Sequence, residues 1–166
     1  SGAGPIGLLT VLGCILNGAK SVAVSDMLAG PLKRAKDLGA STCINLSNHE
    51  TIPSSTYDVI LECSGAAPAI STAFDAVALG GTIVQIGMTA NKPALINLAP
   101  ASFKEVTYQG SLRFDTEFDD AIQLLADHPE ISNVITQTYS ATDAKEAFAM
   151  AKDSENSGKV VISFAD

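Results

Sequence analysis

Between residues 21 and 112, five short β-rich runs alternate with helical stretches, and Gly or Pro marks most changes of element. This alternation constrains the fold most, because parallel strands need long crossovers and are covered on both faces. The runs lie at 21–26, 42–46, 58–63, 82–86 and 105–112. The third, Asp-Val-Ile-Leu-Glu-Cys, is nearly continuous apolar, as a strand buried on both faces should be. A first helix is expected over 5–16. Pro5 sits in its first turn, where a missing N–H costs nothing, and Asn17-Gly18 stop it. Leu8, Leu9, Leu12, Ile15 and Leu16 form a wide stripe, so this helix should be buried on most sides. A second helix opens at Pro31, with Leu32, Ala35 and Leu38 inward and Lys33, Arg34 and Lys36 toward water, and Gly39 closes it. A third begins at Pro68, with Ile70, Phe74 and Val77 inward, and Gly80-Gly81 end it. Residues 48–56 read as a loop or poor helix, and 87–104 as a long Pro-bearing loop with a helical turn near Pro100.

Beyond Arg113 the rhythm changes. A helix is expected over 117–127 with Phe118, Ala121, Ile122 and Leu125 inward, then a strand at 134–139. A further helix follows, with Ser140 and Asp143 as a variant capping box, and a last strand at 159–164. The expected division is therefore a β-α-β unit, 1–112, and a C-terminal segment, 113–166. With 46% hydrophobic and 17% charged residues, the 166-residue chain reads as a packed globule rather than a disordered one. Ten Lys+Arg against 18 Asp+Glu leave a net charge of −8 and no basic run, which excludes nucleic acid as the expected partner. The longest apolar stretch, 5–16, is broken by Gly7 and Gly13 and falls short of the ~20 residues a membrane span needs. Cys14, Cys43 and Cys63 are dispersed and odd in number, which suits a reducing compartment, and a cytoplasmic location is expected.

Gly2-Ala3-Gly4-Pro5-Ile6-Gly7 fits G-x-G-x-x-G. Gly2 would allow a tight turn, Gly4 the close approach of a pyrophosphate, and Gly7 close packing of helix on sheet, with the helix N-terminus facing the phosphate charge. Asp26, ending the next strand about 20 residues on, is where a carboxylate can accept ribose hydroxyls. An acid there also repels a 2′-phosphate, favouring NAD over NADP. The pattern should follow a strand, so a first, central strand is expected to lie outside this chain. A non-catalytic NAD(H)-sensing module and an S-adenosylmethionine-binding domain are the competing readings.

Gly2-Ala-Gly-Pro-Ile-Gly, Asp26, Lys36-Asp-Leu-Gly-Ala40, Asp58-Val-Ile-Leu-Glu-Cys-Ser-Gly65 and Gly80-Gly-Thr-Ile-Val-Gln-Ile-Gly87 together resemble the coenzyme domain of the zinc-type medium-chain alcohol/polyol dehydrogenases. Gly110-Ser-Leu-Arg-Phe-Asp-Thr-Glu-Phe118 is similar to the polyol branch, that of the sorbitol and L-idonate 5-dehydrogenases. The resemblance implies an α/β, doubly wound parallel sheet of Rossmann type and an NAD-linked oxidoreductase acting on a small polyol or sugar acid. It implies that Gly2, Gly4, Pro5, Ile6 and Gly7 hold the pyrophosphate and Asp26 the adenosine ribose. Cys63 and Ser64 would line the cleft, and Ile86, Gly87 and Met88 would meet the carboxamide. Ser111, Leu112 and Arg113 would approach the nicotinamide, and Lys159 the pyrophosphate. Beside those roles, Cys63 also reads as packing, Arg113 as a surface arginine and Lys159 as a solvated loop lysine. A basic residue common after the ribose acid is replaced here by Ala29-Gly30-Pro31.

His49 and His128 are isolated, and the cysteines share no tetrahedral spacing. The resemblance implies that zinc and its ligands belong to a catalytic domain preceding this one and outside the chain, so the chain by itself is expected to be inactive. Residues 113–166 would pack back toward that domain and leave apolar surface exposed. Strand 106–112 should be an edge, and the resemblance implies that it pairs across the interface of a homo-oligomer. No G-x-S-x-G elbow, Walker loop or paired carboxylates point to hydrolysis or phosphotransfer.

Overall fold

In the computed structural model, which describes residues 1–164, helix α1 (Pro5–Leu16) rises directly from the glycine turn. Gly4 is its extended N-cap and Pro5 its first residue, while Asn17 closes it by donating both its backbone N–H and its amide to Gly13 O. There follow β1 (Ala23–Asp26), α2 (Ala29–Asp37), β2 (Thr42–Asn45), β3 (Tyr57–Glu62), α3 (Ala67–Ala76) and β4 (Val77–Gln85). The chain continues through α4 (Ala99–Phe103), β5 (Thr107–Gly110), α5 (Glu117–Asp127), β6 (Ile135–Ser140), α6 (Ala144–Lys152) and β7 (Lys159–Ser163). Every ladder is parallel: β1 with β2, then β3, β4 and β5 in that order, then β6 with β7. The architecture is α/β with parallel sheets, as the alternation requires, and β5 is an edge.

Between β1 and β3 stand Ser1 and Gly2. Ser1 N donates to Leu61 O at 2.9 Å, Cys63 N to Ser1 O at 2.8 Å and Gly2 N to Ser25 O at 2.9 Å, so two residues join the tips of both strands. Below that bridge the strands part around a cavity of about 390 Å³, lined by Val22, Val24, Val59 and Leu61 and by Val11 and Ala73 of the flanking helices. Ser1, Gly2 and Gly7 of the glycine turn line it as well.

Two apolar clusters hold the elements. Leu8, Val11 and Leu12 of α1 pack with Val24, Leu32 and Ala35, and with Ile131 and Val134 from the 3-10 segment Pro129–Val134. Ile70 and Phe74 of α3 pack with Val77 and Ile83 of β4. Each such side chain contributes about 1.5–3 kcal/mol on burial. The second cluster is sealed by Lys104, whose ammonium donates to the carbonyls of Phe74, Asp75 and Val77. These are the orphan acceptors at the end of α3.

Several expectations need correction. Strand β3 is not buried on both faces, since Asp58 and Val59 are exposed, and Leu9 of the α1 stripe is exposed as well. Helix α2 begins at Ala29, not Pro31, because Asp26 Oδ1 accepts Leu28 N at 2.9 Å and curls the chain early. Pro31 then occupies a first-turn position where its missing N–H breaks no helical bond. Helix α3 ends at Ala76, and Gly80-Gly81 lie inside β4, where the pairing slips between Tyr57 and Val59 and Gly80 takes φ +66°. A cation at the helix end replaces the glycine stop. Arg34 does not simply face water: it donates to Ser154 O at 2.7 Å and Glu155 O at 3.0 Å. Finally, Phe118, Ile122 and Leu125 of α5 are all about half exposed, as 54%, 54% and 51%, so the expected apolar stripe exists but meets no core. That exposure on the C-terminal segment was itself expected.

The contrast is measurable. Ile83→Ala, at a fully buried site, should cost about 2–4 kcal/mol, whereas Ile122→Ala should cost under about 1 kcal/mol. Urea midpoints report both.

Candidate functional site

The glycine turn is shaped by contacts that allow no side chain at two of its three glycines. Gly2 has φ +83°, and a Cβ there would press to 3.1 Å on Ser64 N. A Cβ on Gly7 would collide with Gly2 O, so the helix closes down on the turn itself. Gly4, by contrast, faces open space. No side chain caps α1, so its first-turn N–H groups face that space as an anion receiver.

Asp26 is bound to this turn. Its Oδ2 accepts Ala3 N at 2.7 Å, and its Oδ1 accepts Leu28 N at 2.9 Å. A carboxylate offers about four acceptor sites, so roughly two remain beside the turn for hydroxyl donors. The arrangement thus places anion-receiving N–H groups and a diol-accepting carboxylate side by side at the strand tips. Pro5 and Ile6 form the opening of α1 next to it, with Ile6 54% exposed.

A second structure at the tips was not legible in the residue pattern. Glu62, fully buried at the end of β3, accepts Ser64 N and Gly65 N, both at 2.9 Å, the Ser64 hydroxyl, and Gln85 Nε2 at 2.6 Å. Gln85 also donates to Gly87 O at 2.7 Å and accepts the Tyr108 hydroxyl at 3.1 Å. One buried charge therefore pins the loops after β3 and β4 and reaches β5. Such a charge is tolerated because its acceptor sites are filled by charge-assisted bonds. Gly65 and Gly87 are pressed together, since a Cβ on Gly65 would strike Met88 O and one on Gly87 would strike Gly65 N. The one signal in the sequence was an acid, Glu62, at the end of a mostly apolar strand and followed by Cys-Ser-Gly.

The remaining candidates fall around this frame. Ile86 N and Gly87 N donate to Glu62 O at 2.8 Å, and Met88 projects 87% exposed. Ser111 N donates to Gln85 O at 2.9 Å, which draws Ser111, the exposed Leu112 and Arg113 toward the β4 tip; Arg113 takes a left-handed φ of 57°. Cys63 turns toward α1, with its sulfur 3.6 Å from Thr10 Oγ1, and burial pushes its thiol up. Lys159 is exposed at the start of β7 opposite Ile135, in a separate ladder. Beside α2, Glu155 Oε1 accepts Gly30 N at 2.8 Å. Burial lowers the Arg34 guanidinium's pKa, and Glu155, Asp26 and Asp153 push it back up. The resulting Glu155–Arg34 contact joins positions 121 residues apart and had no sequence signal.

Among the described residues no three His, Cys, Asp or Glu side chains gather to hold a metal ion. The residues present do not fit a zinc centre. No helix among the described residues is long and apolar enough to cross a membrane.

The sequence profile described as zinc-binding dehydrogenase matches residues 5–127. The chain belongs to this family. Sorbitol dehydrogenase of Rattus norvegicus is 33% identical over 163 residues, which cover 91% of this chain and 45% of that protein. The structure of L-idonate 5-dehydrogenase from Escherichia coli aligns with a TM-score of 0.89 at 30% identity, covering 98% of this chain and 48% of that one. A structure from Sinorhizobium meliloti 1021 bound to NADP aligns at 0.83 and 26% identity, covering 97% and 50%. The chain spans about half the length of the curated relatives it matches. For this family, it is the coenzyme domain that is in hand, and polyol dehydrogenases are among its homologues.

Two glycines of one helix test the turn. Gly13→Ala, into open space, should stabilise by about 0.5–1 kcal/mol, while Gly7→Ala should destabilise by about 1–3 kcal/mol; thermal midpoints of opposite sign check it. A raised thiol pKa means less thiolate at a given pH. Cys63 should therefore alkylate with iodoacetamide more slowly at pH 8.5 than a free thiol, read by peptide mass spectrometry.

Proposed function

We propose that this chain is the NAD(H)-binding domain of an oxidoreductase that moves hydride between a secondary alcohol of a polyol or sugar acid and the nicotinamide ring. The observation that carries the reading is the 2.7 Å bond from Ala3 N to Asp26 Oδ2. It sets a carboxylate able to accept a diol beside the anion-receiving turn, the pair of groups that a dinucleotide's ribose and pyrophosphate use. In this reading Gly2, Gly4, Pro5, Ile6 and Gly7 cradle the pyrophosphate and Asp26 takes the adenosine ribose. Ser64 and Cys63 wall the cleft, with Cys63 packed on α1. Ile86, Gly87 and Met88 offer main chain to the carboxamide, Ser111, Leu112 and Arg113 flank the nicotinamide, and Lys159 approaches the phosphates.

Bound NAD supplies the hydride acceptor; the residues of this chain bind and orient it and keep the β3 and β4 tips rigid through Glu62. Zinc and its ligands would come from outside residues 1–166, and no step here is routed through the metal. Residues 1–112 form the coenzyme unit and 113–166 the segment that returns toward the catalytic part, leaving the half-exposed stripe of α5 as its docking face. The edge strand β5, with all four residues exposed, is the surface for a homo-oligomer. A cytoplasmic location accompanies this reading. The polyol class is supported by the homology to sorbitol and L-idonate dehydrogenases.

Titration with NADH, followed by nicotinamide fluorescence, should give saturable enhancement that S-adenosylmethionine does not displace. Asp26→Ala should weaken NADH at least tenfold, as expected for loss of charged hydrogen bonds worth about 1.5–3 kcal/mol. No fluorescence response, or unchanged affinity in the variant, refutes the assignment.

A further inference from the structure

Helix α2 begins immediately beyond the ribose acid, and its N-terminus is an anion seat by construction. The seat is already taken. Glu155, from the turn before β7, places Oε1 at 2.8 Å from Gly30 N, the second residue of the helix, and no side chain of α2's own N-cap residue, Leu28, competes for it. Pro31 contributes no N–H, so the first turn has few donors left. The fit is tight, since any Cβ at position 30 would collide with Glu155 O.

The nearby cation is spent as well. Arg34 lies one helical turn beyond Gly30, on the same face. It donates Nη1 to Glu155 O at 3.0 Å and Nη2 to Ser154 O at 2.7 Å, while its buried Nε has no hydrogen-bond partner and faces no open space. Glu155 is thus held at both ends: its carboxylate by Gly30 and its carbonyl by Arg34. Segment 26–30 carries Asp26 on one side and Glu155 on the other. A group with two negative charges would need there a free cation or free N–H groups.

Resting on the NAD reading above, we propose that the Glu155 carboxylate is a coenzyme-selecting group: by filling the α2 N-terminus, beside an Arg34 whose Nη atoms are already bonded to the main-chain carbonyls of 154 and 155, it denies the ribose 2′-phosphate of NADP its seat. Asp26 repels that phosphate directly; the Glu155 carboxylate takes the Gly30 N–H that could offset the repulsion and adds a second negative charge. The selecting group therefore comes from 125 residues beyond the helix it caps, and docking of the C-terminal segment becomes part of coenzyme choice.

The test titrates the chain with NADH and with NADPH by nicotinamide fluorescence and compares the ratio of dissociation constants. Glu155→Gln keeps an acceptor for Gly30 N but removes the charge. It should shift the ratio toward NADPH about fivefold, the size expected for removing one partly screened charge near a phosphate. Glu155→Ala, which also vacates the seat, should shift the ratio in the same direction even if the thermal midpoint falls. An unchanged ratio in both variants, or equal weakening of both coenzymes, would mark Glu155 as purely structural and overturn the proposal. Those outcomes leave the NAD reading standing if the unmodified chain binds NADH. Failure of the unmodified chain to bind NADH sinks the reading and this inference with it.

Discussion

The structure depends on how three residues are tied. Ser1 and Gly2 bond to β1 and β3, and Ala3 donates to Asp26, so the tips of two strands and the start of α1 are fixed relative to one another by main chain. At Gly2 and Gly7 of this turn a side chain would press on neighbouring backbone, which is why glycine stands at those two positions. A side chain at Gly7 would lift the helix off the turn and break the alignment of helix N-terminus and carboxylate. The opening that remains faces Gly4, and it is there that an anion can approach the α1 N–H groups.

The other half of the site is held by electrostatics inside the protein. Glu62 is buried, and its carboxylate is balanced by two backbone N–H groups, one hydroxyl and one amide. Removing any one would leave a charge less than fully bonded in a low dielectric, which is costly. The network consequently makes the tips of β3 and β4 one rigid unit and links them to the edge strand through Tyr108. Rigid backbone at the strand tips is what a coenzyme domain must supply if it contributes positioning rather than chemistry.

The C-terminal segment has two characters. Ile131 and Val134 are built into the core with α1, and the Glu155 turn grips α2. Its helix α5 nevertheless presents a row of half-exposed apolar side chains. An amphipathic stripe without a core to meet signals a surface meant for covering, consistent with a chain that spans about half of its matched relatives.

Parallel α/β architecture, the 5–16 helix with its proline start and asparagine stop, the glycine turn and the acid at the end of the next strand were all legible in the residues, because each is a local matter of backbone freedom, capping and periodicity. Tertiary structure decided the rest. Whether Gly80-Gly81 stop a helix or bulge a strand turned on Lys104, which is brought to the end of α3 from far along the chain. Whether Arg34 meets water or the carbonyls of 154 and 155, and whether Phe118 and Ile122 meet a core, depends on which surfaces the fold opposes, and periodicity gives a face without naming its neighbour. Glu62 was visible as an acid on an apolar strand, but its partners Gln85 and Tyr108 lie on two other strands, and only their parallel pairing brings those donors to it.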